Sequence, residues 1–319
     1  MAFLIDISGD IGGLQTTLQQ VYDTMIAHCS ELTGISVSIA GIGTLWKVAE
    51  VTWGKMAAAK PPDISVLYRP LAIGLVIGLF PYVISLINGV MQPTVTGTAA
   101  IAGDANQAVA TLLQQKQQLL EKSNDYQMYT GANGSGNLEK WEELSGEADS
   151  GMFSGLSNRV KFEMAKASYN LRNSVKVWLS EILQVLFEAS SLCINTVRTF
   201  YLIILGLLGP FALAFSTYPG LESSAGHWFS RYLHVFLWLP VSNIFGALIA
   251  QIQQEMIKLD LAQLNATGQT SFGPTDTAYI IFLLMSIIGY FTVPSITNYI
   301  VRTGEMGARL WRATPSLNS

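Results

Sequence analysis

The 319-residue sequence is short of charge: Asp, Glu, Lys and Arg make up only 13% of it, against about a quarter in an ordinary soluble domain. Half of its residues are hydrophobic and its mean hydropathy is +0.36, so much of its surface must meet lipid. Eighteen Lys and Arg face 22 Asp and Glu, and no basic face points to direct, sequence-specific nucleic-acid binding. Two cysteines, Cys29 and Cys193, are too few for a disulfide framework and read as packing residues. HExxH, GxSxG, Walker A, CxxC and GxGxxG are all missing. No catalytic residue, cofactor site or metal site can be nominated, and no enzyme is expected. His227 and His234 share a helical face, but no acid lies between them to build a metal or general-base site. MAFLIDISGD lacks the basic start and apolar run of a cleaved leader, so insertion is expected to rely on internal segments.

Helix breakers are missing from one long stretch. There is no glycine between Gly155 and Gly206 and no proline between Pro93 and Pro210, so nothing covalent interrupts a helix there. Apolar residues recur by threes and fours at Val160, Met164, Ala167, Leu171, Val175, Trp178, Ile182, Val185, Ala189, Leu192 and, more weakly, Thr196. Lys161, Lys166, Arg172, Lys176, Glu181 and Glu188 fall off this face, whereas Thr199 to Leu221 carries no charge. The first half is amphipathic and the second belongs in lipid. A continuous helix from Arg159 to Leu208 is roughly 75 Å long at about 1.5 Å per residue, against a hydrocarbon core of about 30 Å. Much of it must project from the bilayer.

The sequence therefore predicts an all-α polytopic membrane protein with about five transmembrane helices, near 32–53, 70–91, 193–216, 232–254 and 277–301, and one very long projecting helix. Residues 1–31 form an acidic outer segment and 32–91 the first two spans with a basic connector. Residues 92–158 are an outer polar loop, 159–216 the long helix, 217–301 the last two spans and 302–319 a basic tail. Gly34, Ser38, Gly41 and Gly43 predict that the first span is buried in a bundle, and Gly74 and Gly78 make a close-packing motif. Pro81 should kink the second span, and Pro240 falls near the middle of the fourth. Trp141, in a Gly-, Ser- and acid-rich stretch, reads as exposed on a mobile loop, either a partner contact or a solvated connector.

The basic connector 54–69 and the Arg-bearing tail favour the cytoplasmic side, and the acidic amino terminus the periplasmic side. Glu181 and Glu188 are the ionisable candidates at the membrane boundary. Inside the bilayer they would suit a secondary transporter or ion-coupled carrier; above it they are ordinary solvated acids. No internal repeat of interrupted helices supports the carrier.

The acidic outer start, the long outer loop, the long helix with its break at Leu208-Gly209-Pro210-Phe211, the run from Trp228 to Trp238-Leu239-Pro240 and the Arg-bearing tail together resemble a known family. It is that of the TrbL/VirB-type polytopic inner-membrane subunits of type IV secretion systems, and most nearly the TraJ family of conjugative transposons. The resemblance implies a multi-pass inner-membrane scaffold or channel subunit that supports pilus assembly and passage of DNA-protein substrate. It also implies a homo-oligomeric ring, a pentamer being one form, in contact with other inner-membrane and stalk subunits, pilin and minor pilin. Gly209 and Pro210 would bend the central helix, with Trp228, Trp238 and Pro240 packed around it.

Overall fold

The computed structural model describes residues 2–57, 65–130, 135–145, 154–267 and 274–301. α1 (Ala2–Ala27) and α2 (Cys29–Ala57) are separated by one residue, and α3 (Ser65–Gly78) passes through Leu79 into α4 (Phe80–Lys122). The short α5 (Asn124–Tyr129) and α6 (Leu138–Ser145) precede the 62-residue α7 (Ser154–Phe215). α8 (Ser224–Phe236), α9 (Trp238–Thr267), α10 (Pro274–Tyr290) and α11 (Val293–Ile300) complete the order. Among the described residues, three stretches are long and apolar enough to cross a bilayer, Thr16–Ala57, Glu181–Phe215 and Ser224–Ala266, and there are up to five if each of two bent pairs is one span. The protein is an all-α polytopic membrane protein.

The chain forms two compact units. The first comprises Met1–Ala99, Ser190–Asn243 and Tyr290–Ser319, the second Ala100–Ala189 and Ile244–Gly289. The first unit has its core around Ile77, Phe80, Tyr232, Val293 and Thr297, all completely buried. Three of its breaks lie beside prolines. α3 and α4 meet at 77° across Leu79, two residues before Pro81, whose ring clashes with the carbonyl one turn back and whose nitrogen has no proton to give it. The stretch read as one span over 232–254 is interrupted for one residue at Leu237, which places Pro240 in the first turn of α9. Pro294 likewise starts α11 after a break in the stretch read as one span over 277–301.

In the second unit, α4 runs on to Lys122, so residues 92–122 of the polar segment are helical. Helix formers such as Gln, Leu, Ala and Lys outweigh the polarity of this segment. Ser123 caps α5 by accepting from Tyr126 N (3.3 Å). Trp141 lies in α6 with only 8% of its surface exposed, clustered with Met128 and Phe162 and flanked by Tyr129 and Leu138. The expectation of an exposed Trp141 on a mobile loop is thus corrected: its ring packs at 6.0 Å against Phe162, because α6 is amphipathic and turns Trp141 inward. Gly136 at φ +70° lets the chain turn there; a Cβ would meet Met128 O and the Phe162 ring at 2.9 Å. Tyr129 stacks on Tyr169 at 4.8 Å. Burial pushes the Tyr129 phenol up, against the hydrogen bond with Trp141 and with help from the Asp125 charge. Lys116 pairs with Asp260 at 2.9 Å, and Gln254 donates to Ala105 O at 3.0 Å, fastening α4 to α9.

α7 is one uninterrupted helix, as the missing breakers require, but its apolar stripe is not buried in this chain. Leu156, Val160 and Met164, then Ala167, Leu171 and Val175, then Trp178, Ile182 and Leu186 are all exposed. These three triplets repeat every eleven residues, which is 3.67 residues per turn. Ala189, Cys193 and Val197 continue the same register and are also exposed. Cys193 is therefore a surface thiol rather than a packing residue, while Cys29 is buried. α7 buries a different face, through Phe162 and Leu183 in the second unit and Ile194 and Leu202 in the first.

The first span is also less enclosed than its small residues suggest. Only Cys29, Ser36, Ala40 and Gly43 of α2 are buried, whereas Ile42, Leu45, Trp46 and Trp53 are exposed. A Cβ at Gly34 or Gly41 would meet nothing within 4 Å, while one at Gly43 would strike Thr217 and Tyr218.

Candidate functional site

The first unit gathers the residues of most interest, beginning at Gly209. The space a side chain would take there is filled by Phe80, whose ring tip a Cβ would strike, and by Trp228, 2.8 Å from that Cβ. Phe80 and Trp228 contact each other at 5.3 Å between ring centres, and Trp228 donates its indole N–H to Leu205 O at 2.8 Å. Gly209 and Trp228 come together. Pro210 does not end the helix, however, which continues to Phe215.

Pro210 leaves a trace one turn back. A residue with an N–H at 210 would bond to Gly206 O; here the Cys29 thiol donates to that carbonyl at 3.5 Å. Pro240 repeats the device. Its missing N–H would serve Phe236 O, and the Arg198 guanidinium Nε donates there instead at 3.2 Å, with its Cζ 5.1 Å from the Phe236 ring centre. Trp238 packs edge-on between Tyr201 (5.6 Å) and His234 (5.9 Å). His234 Nε2 lies 3.1 Å from both Pro294 O and Thr297 Oγ1. Thr297 already donates to Pro294 O, so the imidazole N–H is the donor to both.

Beside Trp228, three polar side chains close a ring. Tyr232 donates to Asn88 Oδ1 (2.8 Å), Asn88 Nδ2 donates to Tyr22 OH (2.8 Å), and Tyr22 OH completes the circuit to Tyr232 OH at 2.9 Å. Every hydroxyl and the amide are satisfied in apolar surroundings, where an orphan group would be costly. The ring ties α1, α4 and α8 together. It borders a cleft of about 430 Å³ lined by Tyr22, Asp23, Ile26, Pro81, Ile84, Ser85, Asn88, Gly89 and Gln92.

A second polar cluster lies around the turn after α7. Lys47 pairs with Glu222 at 2.6 Å, Arg69 donates to Glu222 O at 3.2 Å, and Tyr218 donates to Ile39 O at 3.0 Å. The Lys47 hydrogen bond holds the Glu222 carboxyl below its usual range, partly opposed by burial and aided by the charges of Lys47 and Arg69.

Other nominated residues stand apart from these clusters. A Cβ at Gly74 or Gly78 would meet nothing within 4 Å, so this motif makes no close contact among the described residues; the helical glycines that do are Gly43, Gly206, Gly209 and, in the second unit, Gly289. Glu181 is exposed, and Glu188 accepts from Gln184 one turn away at 3.2 Å. Neither lines the cleft, and the carrier reading gains nothing from them. Sequence reasoning missed Arg198, Tyr22, Asn88 and Tyr232. Arg198 alone carried a signal, as the one charge between Glu188 and Glu222.

The clusters join helices: the hydrogen-bonded ring ties α1, α4 and α8, and the Lys47–Glu222 pair ties α2 to the turn after α7. A family model describing homologues of TraJ from Bacteroides conjugative transposon matches residues 9–317. No curated protein matches the chain. With nearly its whole length covered, the chain belongs to this family of conjugative-transposon TraJ homologues, and is a component of conjugative transfer.

Proposed function

We propose that the chain is a multi-pass inner-membrane scaffold or channel subunit of a type IV secretion machine, akin to the TrbL/VirB-type subunits. It supports pilus assembly and passage of the DNA-protein substrate, and it carries no catalysis or cofactor of its own. Its amino terminus is periplasmic and its carboxyl terminus cytoplasmic. Copies assemble into a ring, a pentamer being one form, and contact the stalk, the other inner-membrane subunits, pilin and minor pilin.

One observation carries this reading: α7 is a 62-residue helix whose charged residues continue to Arg198 and whose charge-free part begins only at Thr199. About 1.5 Å per residue makes it far longer than the roughly 30 Å hydrocarbon core. A helix of that kind suits a subunit that reaches other envelope components. Deleting the gene from a conjugative donor and restoring it in trans tests the role. Transfer should fall to background and recover, with pilus production following it; unchanged transfer in the deletion refutes the proposal. Thiol accessibility of single cysteines at positions 20, 140 and 315 tests orientation, since the first two should react from outside and the third only after permeabilisation.

A further inference from the structure

The cleft between α1 and α4, beside the Tyr22–Asn88–Tyr232 ring, is left unfilled by the chain. Its volume of about 430 Å³ falls within the roughly 300–1,000 Å³ of sites that hold small molecules. A Cβ at Gly89, on its α4 wall, would meet nothing within 4 Å, while the ring braces the walls through Tyr22 and Asn88. All of its lining belongs to the first unit.

The lining changes character from one end to the other. Ile26, Pro81 and Ile84 are apolar, and theirs is the deeper end. Ile26 and Phe80, the neighbour of Pro81, reach Gly206 and Gly209, inside the charge-free part of α7. Toward the other end come Ser85, Asp23 and Gln92. Asp23 Oδ1 accepts from Gln19 at 3.2 Å, which leaves its second oxygen open. The side chains of Ser85 and Gln92 have no hydrogen-bond partner among the described residues. No Lys, Arg or His lines the cleft, so a carboxylate stands beside two neutral donors above an apolar floor.

We infer that the cleft holds the headgroup of an amine-bearing phospholipid, of the phosphatidylethanolamine class. Its ammonium donates to Asp23, its phosphate oxygens accept from the Ser85 hydroxyl and the Gln92 amide, and its first methylenes lie against Ile26 and Ile84. Charge and depth both favour this occupant. A lone carboxylate repels an anionic headgroup and attracts a cation, and a quaternary ammonium has no N–H to give it. A lipid carries the same gradient as the cleft, charge at the water boundary and methylenes below, and the bilayer supplies it. The bound headgroup fills the space between α1 and α4 and fastens one to the other. The inference rests on the membrane-spanning fold and not on the assembly proposed above, so either can fail without the other.

The full-length protein, purified in mild detergent and stripped of lipid, is titrated with dioleoyl phosphatidylethanolamine, phosphatidylcholine or phosphatidylglycerol, and the adducts are counted by native mass spectrometry. One phosphatidylethanolamine should bind about tenfold more tightly than either of the others, the worth of one hydrogen bond to a charged group. Asp23→Asn should abolish that preference; Asp23 is exposed and bonded only to Gln19, so the fold should survive. Gly89→Leu fills the cleft without touching the charge and should lose the site, while Gly97→Leu, equally open on α4 but outside the cleft, should keep it. Equal binding of the three lipids overturns the site, as does a preference that persists in Asp23→Asn or in Gly89→Leu. In a C193S background, a photo-crosslinker on Gly89→Cys in native membranes should capture lipid; capture of a protein alone overturns the site as well.

Discussion

Replacing Gly209 by alanine probes the closest approach in the first unit. The new methyl would overlap the tip of the Phe80 ring and sit 2.8 Å from Trp228. Phe80 is completely buried and held against Trp228 at 5.3 Å, so the ring has no free space to move into. Overpacking of this kind costs about 1–3 kcal/mol, while Gly→Ala in a helix returns roughly 0.5–1 kcal/mol. Gly97→Ala isolates the clash. It makes the same change within a helix where a Cβ meets nothing within 4 Å, and should be neutral or stabilising. The difference between the two variants should be about 1–3 kcal/mol, a melting shift of roughly 2–6 °C for a chain of this size. Thermal unfolding of the purified protein in detergent, followed by size-exclusion chromatography of what survives, measures it. Phe80→Leu is destabilising alone, but combined with Gly209→Ala it should recover most of the clash. The packing account is wrong if Gly209→Ala melts with Gly97→Ala, or if the double variant shows no coupling.

Three further outcomes follow from other contacts. Because Lys47 depresses the Glu222 carboxyl, their contact should contribute fully above pH 4.5, the ordinary value, and be lost as pH falls through the lower folded value; thermal melts of Glu222→Gln should lack that acid dependence. Trp141→Ala should cost about 3–5 kcal/mol in the second unit, seen as faster proteolytic cutting near residues 124–145, with little change where Cys29 is concerned in thiol labelling. Tyr232→Phe should orphan Asn88 Oδ1 and cost about 1 kcal/mol, whereas Tyr68→Phe, on an exposed tyrosine, should cost nothing measurable in the same melt.

The helical architecture was legible because it depends on local features: the missing breakers of α7, the prolines beside several of the breaks, and runs of apolar residues. Pro81 marked its bend correctly. Burial was less legible, since periodicity reveals which residues share a face but not whether the chain itself covers that face. The stripe through Leu171 and Trp178 was found and its exposure was not. Gly74 and Gly78 illustrate the same limit, for their spacing resembles a packing motif while the contacts fall at Gly206 and Gly209. Trp141 was misplaced because the surrounding Gly, Ser and acids masked one short amphipathic helix. The Tyr22–Asn88–Tyr232 ring joins residues as far as 210 positions apart, and no local pattern announces such a contact.

The two prolines at 210 and 240 show how this chain tolerates breakers within apolar helices. Each removes one backbone donor, and in each case a side chain from another helix bonds to the carbonyl left without it, Cys29 at Gly206 O and Arg198 at Phe236 O. Such carbonyls are otherwise unsatisfied in lipid, where water is not at hand. If that is why Cys29 is buried where it is, its value depends on Pro210. Cys29→Ala should cost about 1 kcal/mol in the natural sequence, and Cys29→Ser, which keeps a donor, less. Pro210→Ala restores the N–H and with it the helical bond to Gly206 O, so in that background Cys29→Ala should cost close to nothing beyond a lost sulfur's packing. A double-mutant cycle read by thermal melts separates the two contributions. An equal cost of Cys29→Ala with and without Pro210 would show that the thiol is only filling space, and that the proline's carbonyl is met in some other way.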